Sequence, residues 1–306
     1  SFIDNPLEGY FYNYSIVSVD NEEPENLSEF SENINIFYGP DLEYFIWEPM
    51  SNSPLSGQKI KNDLDYFNKN AFLADDLFSF GNLVDNNFKA IFILNGVWPN
   101  NHILSDSEKL ALINYLDNGG KIYLEDADIW YNDFDNQFSN YFNCTGSEDG
   151  SGDITALYGI PGTFAHDFST NYNGENNSID RLVFSSSAFP FINNSDPVYT
   201  VMIANNTNDY RTIASTVEYG GFEDIASRRS LLVTMLNFFE NGGYPDWLIG
   251  DCNQDDSIDI LDLILIVDYI LAVTVPNPIE YWLSNFNKDD EINLLDIMLL
   301  IESILR

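Results

Sequence analysis

Short apolar runs alternate with amphipathic stretches over the first two thirds of the chain, and this alternation predicts strands separated by helices. The runs over 44–47 and 88–94 are almost entirely apolar, as strands buried on both faces of a parallel sheet must be. Between them, apolar residues spaced three or four positions apart over 59–68 predict a helix with one face toward a core. The pattern favours an α/β fold.

A second strand–helix–strand unit follows. Ser105 and Glu108 form a capping-box pattern that predicts a helix to residue 118, and Gly119 and Gly120 end it. The next strand is predicted over 121–124. A repeated unit of this kind is typical of a doubly wound parallel sheet. Further strands are predicted over 181–184, 198–203 and 210–218, and a closing helix over 225–239.

Changes in composition divide the chain into four parts. Residues 1–40 form an N-terminal extension or arm with one strand-like stretch over 10–19. Residues 41–241 form the α/β domain, and a glycine-containing linker covers 242–249. The C-terminal module covers 250–306.

The C-terminal module contains two copies of one pattern, offset by 34 residues. Each copy places oxygen-bearing side chains at positions 1, 3, 5, 9 and 12 of a 12-residue loop, with a main-chain carbonyl expected from position 7. This alternate spacing wraps hard oxygen ligands around Ca²⁺, so we expect two ions. We expect the first loop to bind more tightly, because the second begins with a neutral residue. The expected ligands are Asp251, Asn253, Asp255, Ser257, Asp259 and Asp262 in the first loop, and Asn285, Asn287, Asp289, Glu291, Asn293 and Asp296 in the second.

Two departures from a standard calcium loop identify the kind of module. Position 6 holds Asp256 and Asp290 instead of glycine, and aspartate tolerates the left-handed conformation needed there. Position 12 is aspartate, not the glutamate of an EF-hand, and the glycines and proline over 242–245 exclude a helix before the first loop. Together these features resemble a type I-like dockerin domain. The resemblance implies a small all-α module that binds calcium and docks on a cohesin-like protein partner.

In dockerin domains the residues just before the last ligand usually dominate the contact with the partner. Here they are apolar in both copies: Ile260, Leu261, Leu294 and Leu295. The helix over 260–273 is apolar nearly all round, and such a helix is covered on more than one side. A partner protein, a neighbouring copy or the rest of this chain would provide that cover, and the sequence leaves all three open.

Part of the α/β domain resembles a flavodoxin-like, glutamine-amidotransferase-like domain of large secreted bacterial surface proteins. The resemblance is carried by the run NGVWPNNHILSDSEKLALINYLDNGGKIYLEDADIWYND, with GSGDITALYG and YRTIASTVEYGGFED further on. It implies a flavodoxin-like doubly wound sheet without assigned chemistry.

The residues argue against catalysis in this domain. An amidotransferase needs a cysteine after its central strand, and acidic residues follow the strand over 121–124 instead. His102, with Asp126 or Asp128 nearby, is the alternative for a hydrolase or metal site. The other interpretation is that His102 packs against Trp98 and the aspartates cap the turn. We expect no enzymatic activity.

Four aromatic residues offer a further alternative for the α/β domain, since exposed rings at one place stack on sugars. They form either a platform for a glycan or anchors of the core and loops. The four residues are Trp47, Trp98, Trp130 and Tyr131.

The charge of the chain narrows the classes of partner. Twelve basic residues stand against 49 acidic ones, a net charge of −37. Nucleic acid and anionic membranes need basic contacts and are therefore excluded as partners, and no apolar run is long enough to insert in a membrane. Millimolar Ca²⁺ is an extracellular condition, so we expect an extracellular or cell-surface protein. Cys144 and Cys252 would either pair there or remain two unrelated thiols.

These observations favour a structural role: a secreted protein that attaches to a partner, or to its own copies, through the calcium-binding module. The alternative is an accessory subunit, with possible glycan binding, docked through a cohesin-like partner in a polysaccharide-degrading complex.

Overall fold

The computed structural model of the protein describes residues 10–21, 26–31, 34–38, 41–49, 56–131, 137–150, 152–175, 178–185, 187–287, 289 and 291–305. None of the described helices is long and apolar enough to span a membrane. The strands are Tyr10–Tyr14 (β1), Ile34–Tyr38 (β2), Tyr44–Trp47 (β3), Ala71–Ala74 (β4), Ala90–Gly96 (β5), Lys121–Asp126 (β6), Cys144–Glu148 (β7), Ala156–Gly159 (β8), Ser169–Asn171 (β9), Arg181–Phe184 (β10), Ala188–Ser195 (β11), Val198–Asn206 (β12) and Arg211–Ser215 (β13). The α-helices are Ser56–Tyr66 (α1), Asp106–Asp117 (α2), Ile225–Asn241 (α3), Ile260–Ile270 (α4), Pro278–Ser284 (α5) and Leu294–Ile304 (α6).

The large sheet is half parallel and half antiparallel. Its strands follow the order β4-β3-β5-β6-β13-β12-β11-β8-β9, with β10 joined to β12 and β7 to β10. The five strands from β4 to β13 are parallel, and the other pairings are antiparallel. The α/β fold class is confirmed, but a wholly parallel sheet is wrong. Only Asp196 and Pro197 join β11 to β12, and so short a connection permits only antiparallel pairing.

Helices cover both faces of the parallel half, because side chains alternate along each strand. Tyr44 and Ile46 of β3 lie in the same buried cluster as residues of α1 and α3. Phe45 and Trp47 point the other way, into the cluster that contains residues of α2. This half of the sheet therefore has the two-sided cover of a doubly wound architecture.

Elements with strong sequence signals lie close to their predicted positions. Ser105 and Glu108 form the capping box at the start of α2, and β10 coincides with its predicted range. In the N-terminal arm, the predicted strand over 10–19 is shorter, and β1 pairs with β2 in a sheet of its own. Several elements were not predicted: β2, β4, β7, β8, β9, β11 and α5.

The two cysteines do not form a disulfide. Both are buried free thiols. Cys144 begins β7 inside the cluster under α2, and Cys252 lies in the small core of the C-terminal module. The alternative of two unrelated thiols is therefore the one observed.

A buried ion cluster fastens α1 to α3. Asp63, whose side chain is fully buried, lies 2.8 Å from Arg228 Nε and 2.7 Å from Arg229 Nε. The hydroxyl of Tyr219 donates to the same carboxylate at 2.9 Å. Burial raises the pKa of Asp63, but these hydrogen bonds outweigh it and hold the pKa below the ordinary value.

Replacing Asp63 with asparagine removes the negative charge and leaves two guanidinium groups facing a neutral amide. We expect the free energy of unfolding at pH 7 to fall by about 3 kcal/mol, as measured by urea denaturation. Because the folded-state pKa is lowered, this contribution is complete above the unfolded-state pKa and is lost as the pH falls through the folded-state value. The difference between the two proteins should therefore shrink at strongly acidic pH.

Asp65→Asn is the matched control on the same helix. Asp65 pairs with Lys61 at 2.6 Å, but the side chain of Asp65 is half exposed, so its loss should cost about 0.5 kcal/mol or less. Equal losses for the two variants would contradict the role assigned to Asp63.

Candidate functional site

The first loop of the C-terminal module is held together by one buried carboxylate at its end. Asp262 is fully buried, and its two oxygens accept hydrogen bonds from the main-chain N–H of Asn253 at 3.1 Å and of Asp259 at 2.9 Å. Asp259 in turn caps α4 by accepting from the N–H of Leu261 at 2.7 Å. Position 12 therefore joins the start of the loop to the start of the helix.

The beginning of the loop folds around Asp251. Its two oxygens accept hydrogen bonds from the N–H groups of Asp255 at 3.0 Å and Asp256 at 2.9 Å, and its side chain is almost completely buried. Asp256, at position 6, has φ of +66°, the left-handed conformation that the sequence predicts for it. The remaining expected ligands, Asn253, Asp255, Ser257 and Asp259, are exposed or half-buried along the loop.

The second loop repeats these contacts at positions 34 residues later. Asp296 is fully buried and accepts from the N–H of Phe286 at 2.7 Å and of Asn293 at 2.9 Å. Asn285, at position 1, accepts from the N–H of Asp289 at 3.2 Å. Asp290, the position-6 residue of this loop, lies outside the described residues. Asn287, Asp289, Glu291 and Asn293 lie along the loop as their counterparts do.

The donor set suits Ca²⁺. All twelve expected ligands offer oxygen, the ligand atom that Ca²⁺ takes. In each loop the expected ligands at positions 1 and 12 are buried. Among the described residues, no three acidic, histidine or cysteine side chains form a metal-binding group by themselves. A loop of this kind does not need such a group, since amide and main-chain oxygens complete its coordination.

A small core sets the two helices side by side. Cys252, Ile266 and Leu300 are fully buried at its centre. Gly250 has φ of +99°, and a Cβ there would lie 2.7 Å from the ring of Phe286 and 3.0 Å from Leu300. Only glycine fits this entry to the first loop.

The outward side of α4 and α6 is apolar and exposed. The four residues expected to contact a partner all lie on it, and Ile260 and Leu294 are 59% and 67% exposed. Ile264 and its counterpart Met298 continue the surface along the two helices. We call this surface the apolar face; its residues are Ile260, Leu261, Ile264, Ile270 and Leu271 in the first repeat and Leu294, Leu295, Met298, Ile304 and Leu305 in the second.

In the α/β domain, His102 and Asp126 line one small cavity of about 70 Å³ at the carboxyl ends of β5 and β6. His102 Nε2 lies 3.0 Å from Glu108 Oε2, and its ring packs edge-on against Trp47, not against Trp98 as the second interpretation has it. Asp128 accepts a hydrogen bond from the N–H of Trp98, as a turn-capping residue does.

Asp126 is fully enclosed by this part of the fold. Burial raises its pKa to about 7, although the N–H groups of Asp128 and Ile129 and the amide of Asn95 donate to it. Ser139, which the sequence did not single out, lines the same cavity, and its buried Oγ has no hydrogen-bond partner among the described residues. No pattern in the sequence marks Ser139, because the sequence predicts no strand or helix around it.

The platform of four aromatic residues is not formed. Trp47 and Trp130 are almost completely buried in the cluster under α2, so their rings are closed to a sugar. Trp98 and Tyr131 are exposed. Cys144 lies in the same cluster, and burial raises the pKa of its thiol far above the ordinary value, so it is no thiolate nucleophile.

Replacing Asp262 with alanine removes the carboxylate that joins both ends of the first loop. We expect most of the Ca²⁺-dependent stabilisation from that loop to be lost, about 2.7 kcal/mol if Ca²⁺ is present at 100 times its dissociation constant. Asn285→Ala should cost less, because it removes a neutral amide. The measurement is thermal unfolding of each variant with millimolar Ca²⁺ and with EDTA.

Asp268→Ala is the control, since Asp268 lies on α4 outside the loop. It should keep the Ca²⁺-dependent shift of the unchanged protein. Equal shifts in all three variants would contradict the ligand assignment.

Structural comparison finds distant likenesses for about two thirds of the chain. A beta-galactosidase from Rahnella sp. R3 superposes with a TM-score of 0.49 at 7% identity, covering 65% of this chain and 31% of the enzyme. The N-terminal domain of mmIFT52 gives 0.48 at 12% identity, covering 66% and 98%. A putative ThuA-like protein from Bacteroides uniformis gives 0.46 at 11% identity, covering 65% and 91%.

This chain thus spans about a third of the length of the beta-galactosidase. Likeness at this level assigns neither a fold family nor an activity, and the flavodoxin-like resemblance is not confirmed. No curated protein matches the chain in sequence. The C-terminal module is different: residues 249–305 match the Dockerin type I domain. The match confirms the dockerin prediction for this module and supports calcium binding and protein–protein attachment as its role.

Proposed function

We propose that this chain is an extracellular, calcium-dependent attachment protein whose dockerin module docks its apolar face on a cohesin-like partner. The observation that carries the proposal is the exposure of that face on two helices whose first turns are fixed by the calcium loops. The α/β domain is a non-catalytic domain that the dockerin module attaches to this partner.

The apolar face is too continuous to be an ordinary surface. Ten exposed large apolar side chains lie on α4 and α6 or directly after them, and each residue of the first repeat has a counterpart 34 residues later. Continuous exposed apolar surface of this kind marks interaction sites in soluble proteins. The two helices already share their buried side in the small core, so their outward side needs a second protein to cover it.

The charge of the module favours a different protein over a second copy. Between residues 250 and 305 the sequence has twelve acidic residues and one lysine. Two such modules face to face would bring like charges together around the contact, whereas a partner with a neutral or basic rim would not. Two bound Ca²⁺ ions offset only part of this charge.

The location and the α/β domain fit the same proposal. A calcium site of oxygen ligands fills at the millimolar Ca²⁺ outside cells. If the five parallel strands are numbered along the chain, their order across the sheet is 2-1-3-4-5, which is the flavodoxin-like order. That order supports a flavodoxin-like core extended by antiparallel strands. Its His102 is held by Glu108 and its Cys144 is buried, which supports a domain without catalysis.

The test is a pair of charge substitutions on the apolar face, Ile264→Asp with Met298→Asp. We expect at least about tenfold weaker calcium-dependent binding to immobilised cohesin domains, a loss of about 1.4 kcal/mol. Val198→Asp is the control, because Val198 is also an exposed apolar residue but begins β12 in the large sheet. Unchanged binding by the double variant would remove the face from the contact.

Self-association is measured on the same proteins by sedimentation velocity with millimolar Ca²⁺. We expect the unchanged chain to sediment as a monomer. If it forms oligomers that the double variant does not form, a second copy is the occupant of the face and the cohesin-like partner is wrong.

Glycan binding is the second candidate function, and it rests on the carboxyl edge of β5 and β6. Trp98 and Tyr131 are exposed there, and Trp98 is 70% exposed. The cavity at this edge contains His102 and the Ser139 Oγ that has no partner among the described residues. Exposed rings and unsatisfied polar groups at the carboxyl ends of parallel strands suit a neutral saccharide.

Trp98→Ala tests this candidate by affinity electrophoresis in gels that contain xylan or β-glucan. Retardation of the unchanged protein, lost in the variant, would support a glycan site. Phe78→Ala is the control, since Phe78 is an exposed aromatic residue in the turn after β4. Equal mobility of all three proteins with and without the polysaccharide would remove the candidate. Trp130→Ala does not serve here, because Trp130 is part of the core.

A further inference from the structure

The dockerin module is fastened to the α/β domain through α5. Trp282 and Leu283 of α5 are almost completely buried, and they belong to the main core cluster of the α/β domain together with Phe189 and Phe191 of β11. Tyr281 adds an edge contact with Phe184 of β10, with ring centroids 6.4 Å apart. A calcium-binding module on a free tether would show no such shared core.

The segment over 242–249, expected to be a linker, is fastened as well. Trp247 packs edge-on against Trp282, with ring centroids 5.2 Å apart, and its Nε1 donates to the carbonyl of Pro161 at 2.7 Å. The N–H of Asp246 donates to the carbonyl of Gly162 at 2.7 Å. A Cβ on Gly162 would lie 2.4 Å from the indole of Trp247, so this fit requires glycine.

Both calcium loops begin where these contacts end. Gly250, directly before the first ligand Asp251, donates its N–H to the carbonyl of Leu283 at 3.1 Å. Asn285, the first ligand of the second loop, directly follows α5 and donates its N–H to the carbonyl of Tyr281 at 3.0 Å. The first loop therefore begins four residues after Trp247, and the second begins two residues after Leu283.

This placement couples the state of the loops to the contact between the domains. The first loop gathers four aspartates, at positions 1, 5, 9 and 12, which repel one another without a cation. Opening of that loop would move Gly250, and with it the hydrogen bond to Leu283. Opening of the second loop would release the last turn of α5, whose C-cap is Asn285.

We propose that Ca²⁺ binding locks the dockerin module onto the α/β domain through Trp247 and Trp282. The ion then sets the direction in which the apolar face points, besides folding the module. This inference rests on the calcium binding of the proposed function. It adds that the α/β domain and the docking face form one rigid unit only when calcium is bound.

The experiment is small-angle X-ray scattering of the full chain in saturating Ca²⁺ and in EDTA. A compact chain of this length has a radius of gyration of about 19 Å. We expect values near that in Ca²⁺ and a larger radius and maximum dimension in EDTA. Identical dimensions in the two conditions would overturn the lock.

Trp247→Ala separates the lock from calcium binding. Trp247 is half-buried and outside both loops, so the variant should still bind two ions, counted by native mass spectrometry. In Ca²⁺ it should nevertheless show the larger dimensions that the unchanged chain shows only in EDTA. Tyr281→Ala is a second variant with the same expectation, and Leu110→Ala, exposed on α2, is the compact control.

The outcomes distinguish the two proposals. If the unchanged chain binds two ions but keeps its dimensions in EDTA, or if both variants stay compact in Ca²⁺, the lock is wrong while the calcium-dependent attachment stands. If no ion binds, both proposals fail together.

Discussion

Asp262 and Asp296 lie in the first turns of α4 and α6. The carboxylate of each accepts hydrogen bonds from main-chain N–H groups at two places in its own loop. Both side chains are fully buried. A buried negative charge is costly unless a cation or strong hydrogen bonds compensate it. Main-chain donors supply part of that compensation, and an ion bound by the rest of each loop would supply the remainder. The residues at which α4 and α6 begin depend on these hydrogen bonds, and so do the side chains that each helix exposes.

The module has two different surfaces: one is exposed, and the other is buried against the α/β domain. The outward side of α4 and α6 remains exposed and apolar, available to a protein partner. The entry to each loop lies against the α/β domain, where Trp247 and Trp282 close the contact. A module fastened in this way would hold its apolar face in one direction relative to the α/β domain, whereas a module on a free tether would not. The large sheet takes part in this contact, since Phe189 and Phe191 of β11 lie in the same core cluster as Trp282 and Leu283 of α5.

The sequence predicts the C-terminal loops well because both follow one local pattern that occurs twice in the chain. The prediction includes the left-handed conformation of Asp256. It predicts the buried parallel strands and the cap at Ser105 for the same reason. Helix α5 is absent from the sequence-based predictions because Pro276 and Pro278 indicate an irregular connection, although Asn277 before Pro278 is also a helix-start signal. The unpredicted antiparallel strands β7, β8 and β9 are only three to five residues long, so pairing with neighbouring strands, not a local pattern, fixes them. The burial of Trp130 is likewise a tertiary outcome.

Native mass spectrometry of the intact chain in volatile buffer with added Ca²⁺ tests the central claim most directly. We expect a mass increase of two calcium ions, and of one ion when Asp262 is replaced with alanine. A chain that retains no calcium, or that retains two ions with both Asp262 and Asp296 replaced, would contradict it.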